Sequence, residues 1–296
     1  MLNKLQHIPN LLVEVKEIID ESLTNYGVAI LPSQDVTKTI SLMKLLEYKF
    51  DVTMLDPWYN KGFGGIQSNY LSFFLNVIRE SGRISEHVYF WGFPEIVAPF
   101  VERIPEPLNL TCWLTWYYKN NPSVIRGWRS SQNACLHLSR NDAKLYPERF
   151  LNEKQCELAK KGKLRYMPGP TSIIESAPED MVEGWPEDVI EYPLLVGFVG
   201  RKEQTGHPAQ KPFKVYDYLL KMTTSNNGLI LDPMCGSGTT GAVAKERGYR
   251  TILCDNNEDY IKLTEKRLCL NRLDIKKLIN EVITEVSSNE TSITHA

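Results

Sequence analysis

The residues best suited to chemistry are an apolar run, an acid and a glycine-rich turn late in the chain. The stretch reads Leu229, Ile230, Leu231, Asp232, Pro233, Met234, Cys235, Gly236, Ser237, Gly238, Thr239, Thr240 and Gly241. This order predicts a buried parallel strand that leads into a helix through a tight loop. Gly236 and Gly238 can adopt positive φ and let a ligand approach the backbone, and the first amides of the helix point toward that ligand. The pattern indicates a binding site for a nucleotide-like ligand.

The glycine spacing leaves two cofactors open. Gly236, Gly238 and Gly241 satisfy the dinucleotide fingerprint, and Asp255 follows about twenty residues later, as that fingerprint requires. Asp232, however, puts a carboxylate where a pyrophosphate would be repelled, and little chain remains for the other strands of a dinucleotide fold. A strand-end carboxylate suits positive charge or amine donors, such as the methionine part of S-adenosylmethionine (SAM), with Asp255 accepting bonds from ribose hydroxyls. An NAD-dependent oxidoreductase is favoured by the glycine spacing alone.

A second apolar run, residues 50–55, also ends in an Asp-Pro pair, and two large aromatic residues follow it. The four residues are Asp56, Pro57, Trp58 and Tyr59. Aromatic rings in a strand-end loop are well placed to stack on a flat ring. Because proline has no amide hydrogen, the loop offers two acceptors, the Asp56 carboxylate and the Pro57 carbonyl. Acceptors beside a stacking surface suit a planar group that carries an exocyclic amine.

These motifs resemble those of the amino-directed DNA methyltransferases. Asp56–Tyr59 is similar to their Asp-Pro-Pro-Tyr motif, with Trp58 in place of the second proline, and residues 232–240 are similar to their SAM-binding loop. The catalytic motif precedes the SAM motif, which is similar to the circularly permuted, β-type order. Residues 207–212 resemble the segment that closes over the cofactor, and residues 255–260 resemble the ribose-binding strand end.

The resemblance implies a SAM-dependent enzyme that methylates the exocyclic N6 amine of an adenine flipped out of duplex DNA. Its implied catalytic residues are Asp56, Pro57, Trp58 and Tyr59, with no metal ion. The implied cofactor-binding residues are Asp35, Lys211, Pro212, Asp232, Pro233, Met234, Cys235, Gly236, Ser237, Gly238, Thr239, Thr240, Asp255 and Asn256. A cytosine-N4 enzyme is the alternative, disfavoured because those enzymes usually begin the motif with serine. A silent SAM- or DNA-binding regulator, and an RNA or protein substrate, stay open.

The elements that must position these motifs alternate as in an α/β protein. Together with this alternation, the resemblance implies a Rossmann-like methyltransferase fold, with a mixed seven-stranded sheet, helices on both faces and an inserted target-recognition region. The predicted strands are 27–31, 50–55, 87–91, 111–117, 134–138, 229–231 and 251–254. The runs 111–117 and 134–138 are predicted to form an antiparallel pair at one edge. Asp35 is either a helix cap or a ligand contact.

The alternation fails between residues 140 and 204, which defines the predicted organisation. Residues 1–139 would form the catalytic half, 140–204 the target-recognition insertion, 205–282 the SAM-binding half and 283–296 a polar tail, disordered from residue 287. In the insertion Lys160, Lys161, Lys163 and Arg165 could meet DNA phosphates, although a solvated helix face explains any one of them equally well.

Composition excludes few classes. The net charge of -2 over 296 residues gives no overall basic signal, so any positive surface for double-stranded DNA must be local. Six cysteines without a Cys-x-x-Cys pair are typical of a reduced, intracellular protein. No apolar run approaches the length of about eighteen residues that a membrane span needs, which predicts a cytoplasmic protein. The resemblance adds a cognate restriction endonuclease and a homodimer as candidate partners.

Overall fold

A computed structural model describes residues 2–61, 65–118, 130–165, 170–175 and 203–293. Within these ranges the helices are α1 (Leu2–Tyr26), α2 (Val36–Leu45), α3 (Tyr70–Ile84), α4 (Pro94–Val101), α5 (Glu153–Lys160), α6 (Phe213–Thr223), α7 (Thr239–Arg247), α8 (Glu258–Leu268) and α9 (Lys276–Ile293). The strands are β1 (Val28–Ile30), β2 (Phe50–Leu55), β3 (Ser85–Gly92), β4 (Asn109–Tyr117), β5 (Gln132–Ser139), β6 (Ile173–Glu175), β7 (Leu229–Asp232) and β8 (Arg250–Leu253). A short 3-10 turn covers Pro147–Phe150.

The described strands form one mixed sheet in the order β1-β8-β7-β2-β3-β5-β4-β6. All pairs from β1 to β3 are parallel, and β5 runs antiparallel to β3 and to β4. The predicted antiparallel pair is therefore confirmed. The predicted count of seven strands is wrong by one, because β6 from the insertion pairs in parallel with Thr115–Tyr117 of β4. Three residues are too few to show the alternation that marks a strand in a sequence.

Helices cover both faces of the sheet, as predicted. Along β3, Val88 and Phe90 belong to the core that contains the buried side chains of α1 to α4 and α9. Tyr89 and Trp91, one position on in each case, belong to the core formed with α6 and α7. Because successive strand residues point to opposite faces, a strand with apolar residues at every position must be covered on both sides. The Rossmann-like layer order follows from this packing.

The first strand does not lie with the other strands of the predicted catalytic half. β1 pairs with β8 at the edge beyond the glycine-rich loop, with Val28 opposite Thr251, while α1 packs against α9. The two predicted halves thus share one sheet, and strand β1 of the first half lies beyond β7 and β8 of the second. The division at residues 139 and 205 stays a prediction.

The C-terminal segment is helical where the sequence predicted a disordered tail. Ile275, Ile279 and Val282 are each no more than 1% exposed and recur at helical spacing, so they anchor α9, which continues to Ile293. A polar stretch can extend a helix whose first turns are fixed by packing. Among the described residues, no helix combines the length and apolar character needed to cross a membrane.

The insertion begins at the edge where the parallel strands start. Arg149 donates to the carbonyls of Lys221 at 3.1 Å and Thr224 at 2.5 Å, and to Asn226 Oδ1 at 3.0 Å. Helix α5 follows this anchor, with a capping box between Asn152 and Gln155. The predicted DNA-contacting residues are exposed at and beyond its C-terminal end: Lys160, Lys161, Lys163 and Arg165. Residues 166–169 and 176–202 of the predicted insertion lie outside the described ranges.

Candidate active site

One cavity of about 970 Å³ lies at the carboxyl ends of the parallel strands and brings the predicted motifs together. That edge is where open α/β sheets bind ligands. Of the predicted site residues, those lining the cavity are Asp35, Asp56, Pro57, Trp58, Tyr59, Lys211, Pro233, Met234, Cys235, Gly236, Ser237, Thr239, Asp255 and Asn256. The other four, Pro212, Asp232, Gly238 and Thr240, are not in its lining; Asp232 and Thr240 are buried beneath the loop.

In the loop after β7, Gly236 and Gly238 both have positive φ and both have close neighbours where a Cβ would lie. Gly236 has φ of 49°, and a Cβ there would lie 2.9 Å from His207 Nε2. Gly238 has φ of 73°, caps α7, and would bring a Cβ within 2.9 Å of Thr264 Oγ1. Positive φ disfavours other residues, and the close neighbours leave no space for a side chain. Glycine at both positions is therefore favoured by the conformation and by the packing of this loop.

Asp232 supports the loop from beneath. Its side chain accepts hydrogen bonds from Thr240 Oγ1 at 2.5 Å and from the Met234 amide at 3.2 Å, and the residue is 2% exposed. Burial raises the pKa of this carboxyl to about 7, and the negative charges of Asp56 and Asp255 add to the effect. A ligand with positive charge nearby would favour the ionised form. This carboxylate is therefore suited to a cationic ligand.

Asp255 and Asp35 stand at the ends of the neighbouring strands. Asp255 accepts from the amides of Gly236 and Asn257, both at 2.9 Å, and burial raises the pKa of its carboxyl. Since a carboxylate has about four acceptor sites, capacity remains for hydroxyl donors. Asp35 caps α2 by accepting from the Thr37 amide at 2.8 Å, and it also lines the cavity. The two roles that the sequence left open for Asp35 are compatible.

Four side chains meet at the end of β2 in a polar network. Lys211 Nζ lies 2.6 Å from Asp56 Oδ2 and 2.9 Å from Oδ1, and it donates to Tyr59 Oη at 2.7 Å. Tyr59 Oη donates to Asp56 Oδ1 at 2.9 Å, and Tyr216 Oη donates to Oδ2 at 3.2 Å. The Lys211 side chain is 3% exposed. Burial and the neighbouring Asp56 raise the pKa of the Tyr59 hydroxyl, which stays protonated.

The two aromatic residues of the catalytic motif have different surroundings. The Tyr59 ring contacts Phe93 edge-on, with centroids 4.9 Å apart. The Trp58 ring makes an edge contact with Tyr70 of α3 at 5.5 Å and packs against the core on that side of the sheet. Tyr70 Oη also donates to the Trp58 carbonyl at 3.1 Å. Trp58 therefore anchors the loop to α3, while Tyr59 lies beside the Asp56 carboxylate.

Two further residues that line the cavity, Tyr216 and His207, are not among the predicted site residues, although His207 belongs to the segment 207–212. Tyr216 lies on α6, and no local pattern links it to Asp56. His207 packs on Tyr260 with ring centroids 4.2 Å apart; burial lowers the pKa of His207 to about 4, so the ring is neutral.

These features fit SAM. Carboxylates at three strand ends face a cavity whose size is at the upper end of the usual range for small-molecule sites, as a site for a cofactor and a base together requires. Asp255, in the lining, offers acceptor sites to ribose hydroxyls, and Asp232, buried beneath the loop without reaching the lining, would act on a cationic methionine part through its charge. A second acceptor group, at Asp56, lies on the neighbouring strand, β2.

Comparison with known proteins agrees with this geometry. The family model for N6- and N4-directed methyltransferases, described as DNA methylase, matches residues 50–266. The Type II methyltransferase M.HpaI of Haemophilus parainfluenzae is 24% identical over 241 residues, which are 77% of this chain and 71% of that protein. M2.LlaDCHI of Lactococcus lactis subsp. cremoris, also a Type II methyltransferase, is 45% identical over 62 residues, only 21% of this chain and 23% of that protein.

Solved structures share the fold. The crystal structure of the M1.HpyAVI–SAM complex has a TM-score of 0.58 and 19% identity, and the match covers 82% of this chain and all of that one. PvuII DNA methyltransferase, described as cytosine-N4-specific, has a TM-score of 0.54 and 14% identity over 88% of this chain and 95% of that one. At these identities the likeness is one of fold.

Proposed function

The chain belongs to the amino-directed DNA methyltransferases, which use SAM, and we propose that it methylates the N6 amine of an adenine extruded from duplex DNA. The observation that carries the proposal is that Asp56, Pro57 and Tyr59 line the same cavity as the loop after β7. An amine acceptor and a cofactor loop on neighbouring strands are what methyl transfer to an amine requires. The roles assigned below to single residues are part of the proposal.

When bound, SAM would supply a methyl group from its sulfonium; the thioether S-adenosylhomocysteine would be the leaving group, and the proton lost by the methylated nitrogen would pass to solvent. Asp56 and the Pro57 carbonyl accept hydrogen bonds from the two amine hydrogens. These bonds hold the nitrogen nearer to tetrahedral geometry and direct its lone pair at the methyl carbon. Tyr59 stacks on the base, which offsets about 1–3 kcal/mol of the cost of unstacking it from the duplex.

Two features favour adenine over cytosine as the target. The motif begins with aspartate at position 56, whereas cytosine-N4 enzymes usually have serine there, and Tyr59 is followed by asparagine. Cytosine-N4 methylation is the second candidate, because Trp58 replaces the residue that the family normally has. The fold that this chain shares with a cytosine-N4-specific enzyme does not discriminate between the two bases.

Recognition of the DNA sequence is assigned to the insertion after β5, with the exposed Lys160, Lys161, Lys163 and Arg165 contacting phosphates. The anchor at Arg149 lies at the edge of the sheet opposite the cavity, so the insertion must extend from that edge toward the cavity if it is to contact the same DNA. Relatives described as Type II methyltransferases support a cognate restriction endonuclease as partner. A homodimer remains part of the proposal on the family resemblance.

The decisive experiment is to map methylated bases in DNA from cells that express the chain and that lack other DNA methylation. N6-methyladenine at one recurring sequence is the expected result, with the Asp56→Asn chain as control. N4-methylcytosine at a recurring sequence would establish the second candidate. Unmethylated DNA from cells in which the purified chain binds SAM would contradict the proposal and point to a silent regulator or another substrate.

A further inference from the structure

The catalytic carboxylate already has a full set of donors. Lys211 Nζ donates to both oxygens of Asp56, Tyr59 Oη donates to Oδ1, and Tyr216 Oη donates to Oδ2. A carboxylate offers about four lone-pair sites, so these four bonds use its capacity. The amine of an entering base can bond to Asp56 only when one of these donors leaves.

Lys211 is the donor best able to leave. Tyr59 and Tyr216 are held by ring contacts, with Phe93 at 4.9 Å and with Trp91 at 6.1 Å respectively, and each gives Asp56 one bond. Lys211 gives two bonds from the end of a flexible stem. Its departure would therefore free two acceptor sites at once.

The surroundings of Lys211 also allow its ammonium group to move. Nζ lies 5.2 Å from the ring centroids of both Tyr59 and Trp91, and the faces of such rings attract a cation. Its main chain is fixed, because Thr239 Oγ1 at the start of α7 donates to the Lys211 carbonyl at 3.2 Å. Movement would thus be confined to the side chain, and one residue connects the cofactor loop to the catalytic loop.

We propose that Lys211 is a positioning residue that occupies the acceptor sites of Asp56 before a base enters and yields them to the amine of the target base. The inference rests on the proposed function, since an entering amine takes over the bonds. The ion pair stabilises the site before a base enters, because a half-buried carboxylate loses part of its hydration and gains from a charged partner. It also selects the base, because a ring without an exocyclic amine cannot replace the ammonium as donor.

The test compares the DNA affinities of wild-type enzyme, Lys211→Met and Lys44→Met for two duplexes that contain the mapped target site. One duplex carries the target adenine, and the other carries purine, which lacks the 6-amine. Fluorescence anisotropy of labelled duplexes gives Kd. For Lys211→Met we expect about tenfold tighter binding of the adenine duplex, the equivalent of one charge-assisted hydrogen bond, and unchanged binding of the purine duplex.

Stability provides a second readout. Thermal unfolding without ligands should show a lower Tm for Lys211→Met, because Asp56 loses its ion pair. A lower stability combined with a higher affinity for the amine-bearing base is not what a merely structural role would produce. Lys44 forms an exposed ion pair with Glu80, so Lys44→Met should alter neither affinity. Lys211→Gln, neutral but still able to donate a hydrogen bond, is measured alongside and should show the same pattern with a smaller gain.

Two results would overturn the inference. Equal changes for the adenine and purine duplexes would show that Lys211 only supports the fold. Weaker binding of the adenine duplex by both neutral variants would show that the ammonium helps to hold the base. If the wild-type chain methylates no DNA in the mapping experiment, the proposed function is wrong, and the inference that rests on it is wrong as well. If the wild-type chain does methylate DNA, the affinity comparison alone decides the role of Lys211.

Discussion

Two neighbouring strands, β2 and β7, both end in an aspartate followed by a proline, yet the two carboxylates have different partners. Asp232 is bonded within its own loop, to Thr240 and to the Met234 amide. Asp56 is bonded to Tyr59 three residues away, but also to Lys211 and Tyr216, which lie 155 and 160 residues further along the chain. The same local pattern thus gives one self-contained site and one assembled from distant parts.

Under the proposed function, this difference separates cofactor binding from binding of the target base. A carboxylate fixed by its own loop is in place before any partner arrives, which suits a cofactor site. A carboxylate held by a lysine from another segment can exchange that partner, which suits a substrate that must be taken from a duplex. Changes at the two aspartates should therefore affect different steps.

The largest effect is expected from Asp56→Asn. The amide keeps the shape but presents a donor to the target amine and loses the charge that pairs with Lys211. We expect the single-turnover rate of methylation to fall by about two to three orders of magnitude, while the affinity for SAM, measured by calorimetry, stays within error. A normal rate would show that the base amine is not held at Asp56.

Asp232→Asn should produce the opposite pattern. Loss of a buried charge near the cationic part of SAM should weaken SAM binding by roughly ten- to hundredfold. The rate with saturating SAM and DNA should change much less. Calorimetric titration of SAM measures the effect, and Asp217→Asn, at an exposed ion pair with Arg247, is the matched control. Unaltered SAM affinity would contradict the assignment of the end of β7 to the cofactor and the end of β2 to the base.

A pair of changes at Tyr59 separates its hydroxyl from its ring. Tyr59→Phe removes the hydroxyl that donates to Asp56 and accepts from Lys211, and we expect a roughly tenfold lower single-turnover rate. Tyr59→Ala also removes the stacking surface, which should cost a further factor of about ten or more. Equal rates for Phe and Ala variants would remove the ring from the mechanism.

The pH dependence of SAM binding should come from Asp232. Its carboxyl has a pKa of about 7 in the empty protein, and a cationic ligand binds the ionised form better. Affinity should therefore be highest above pH 7 and fall as the pH drops below it, by at most about tenfold per pH unit for one proton. His207, with a pKa of about 4, does not titrate in this window. Calorimetry between pH 6 and 8 should show a weaker dependence for Asp232→Asn.

The smallest effect is expected outside both strand ends. Replacing Lys160, Lys161, Lys163 and Arg165 together by glutamine should weaken DNA binding and reduce its salt dependence, by up to about one unit of slope per lost phosphate contact. SAM affinity should stay unchanged. An unaltered salt dependence would show that the DNA-binding surface lies elsewhere. The test matters because this segment is anchored at the edge of the sheet opposite the cavity.

The contrast between contacts within one loop and contacts between distant segments also separates what the sequence predicted from what it did not. The loop after β7 was predictable, because glycines at 236 and 238, the preceding acid and the following helix are all local signals. The strand ends at Asp56 and Asp255 could also be predicted, since apolar runs that stop at an acid are local too.

The contacts between distant segments could not be predicted. Lys211 was assigned to the cofactor by resemblance. The residues next to it in the sequence give no indication that its ammonium group reaches Asp56, 155 residues away. Tyr216 reaches the carboxylate only because α6 packs beside β2. Strand β6 was missed because its pairing depends on the free edge of β4 and not on its own three residues.

The pairing of β6 with β4 has a consequence for exchange of specificity between relatives. The first part of the insertion is attached to the body twice, at Arg149 and at Ile173–Glu175. A chimera that replaces residues 151–172 would keep both attachments, and its new segment would only have to span fixed end points. A junction within Ile173–Glu175 would disturb the backbone pairing with β4, and one at Arg149 would remove the side chain that donates to the carbonyls of Lys221 and Thr224. The natural crossover points for grafting a different recognition segment therefore lie just inside these two anchors.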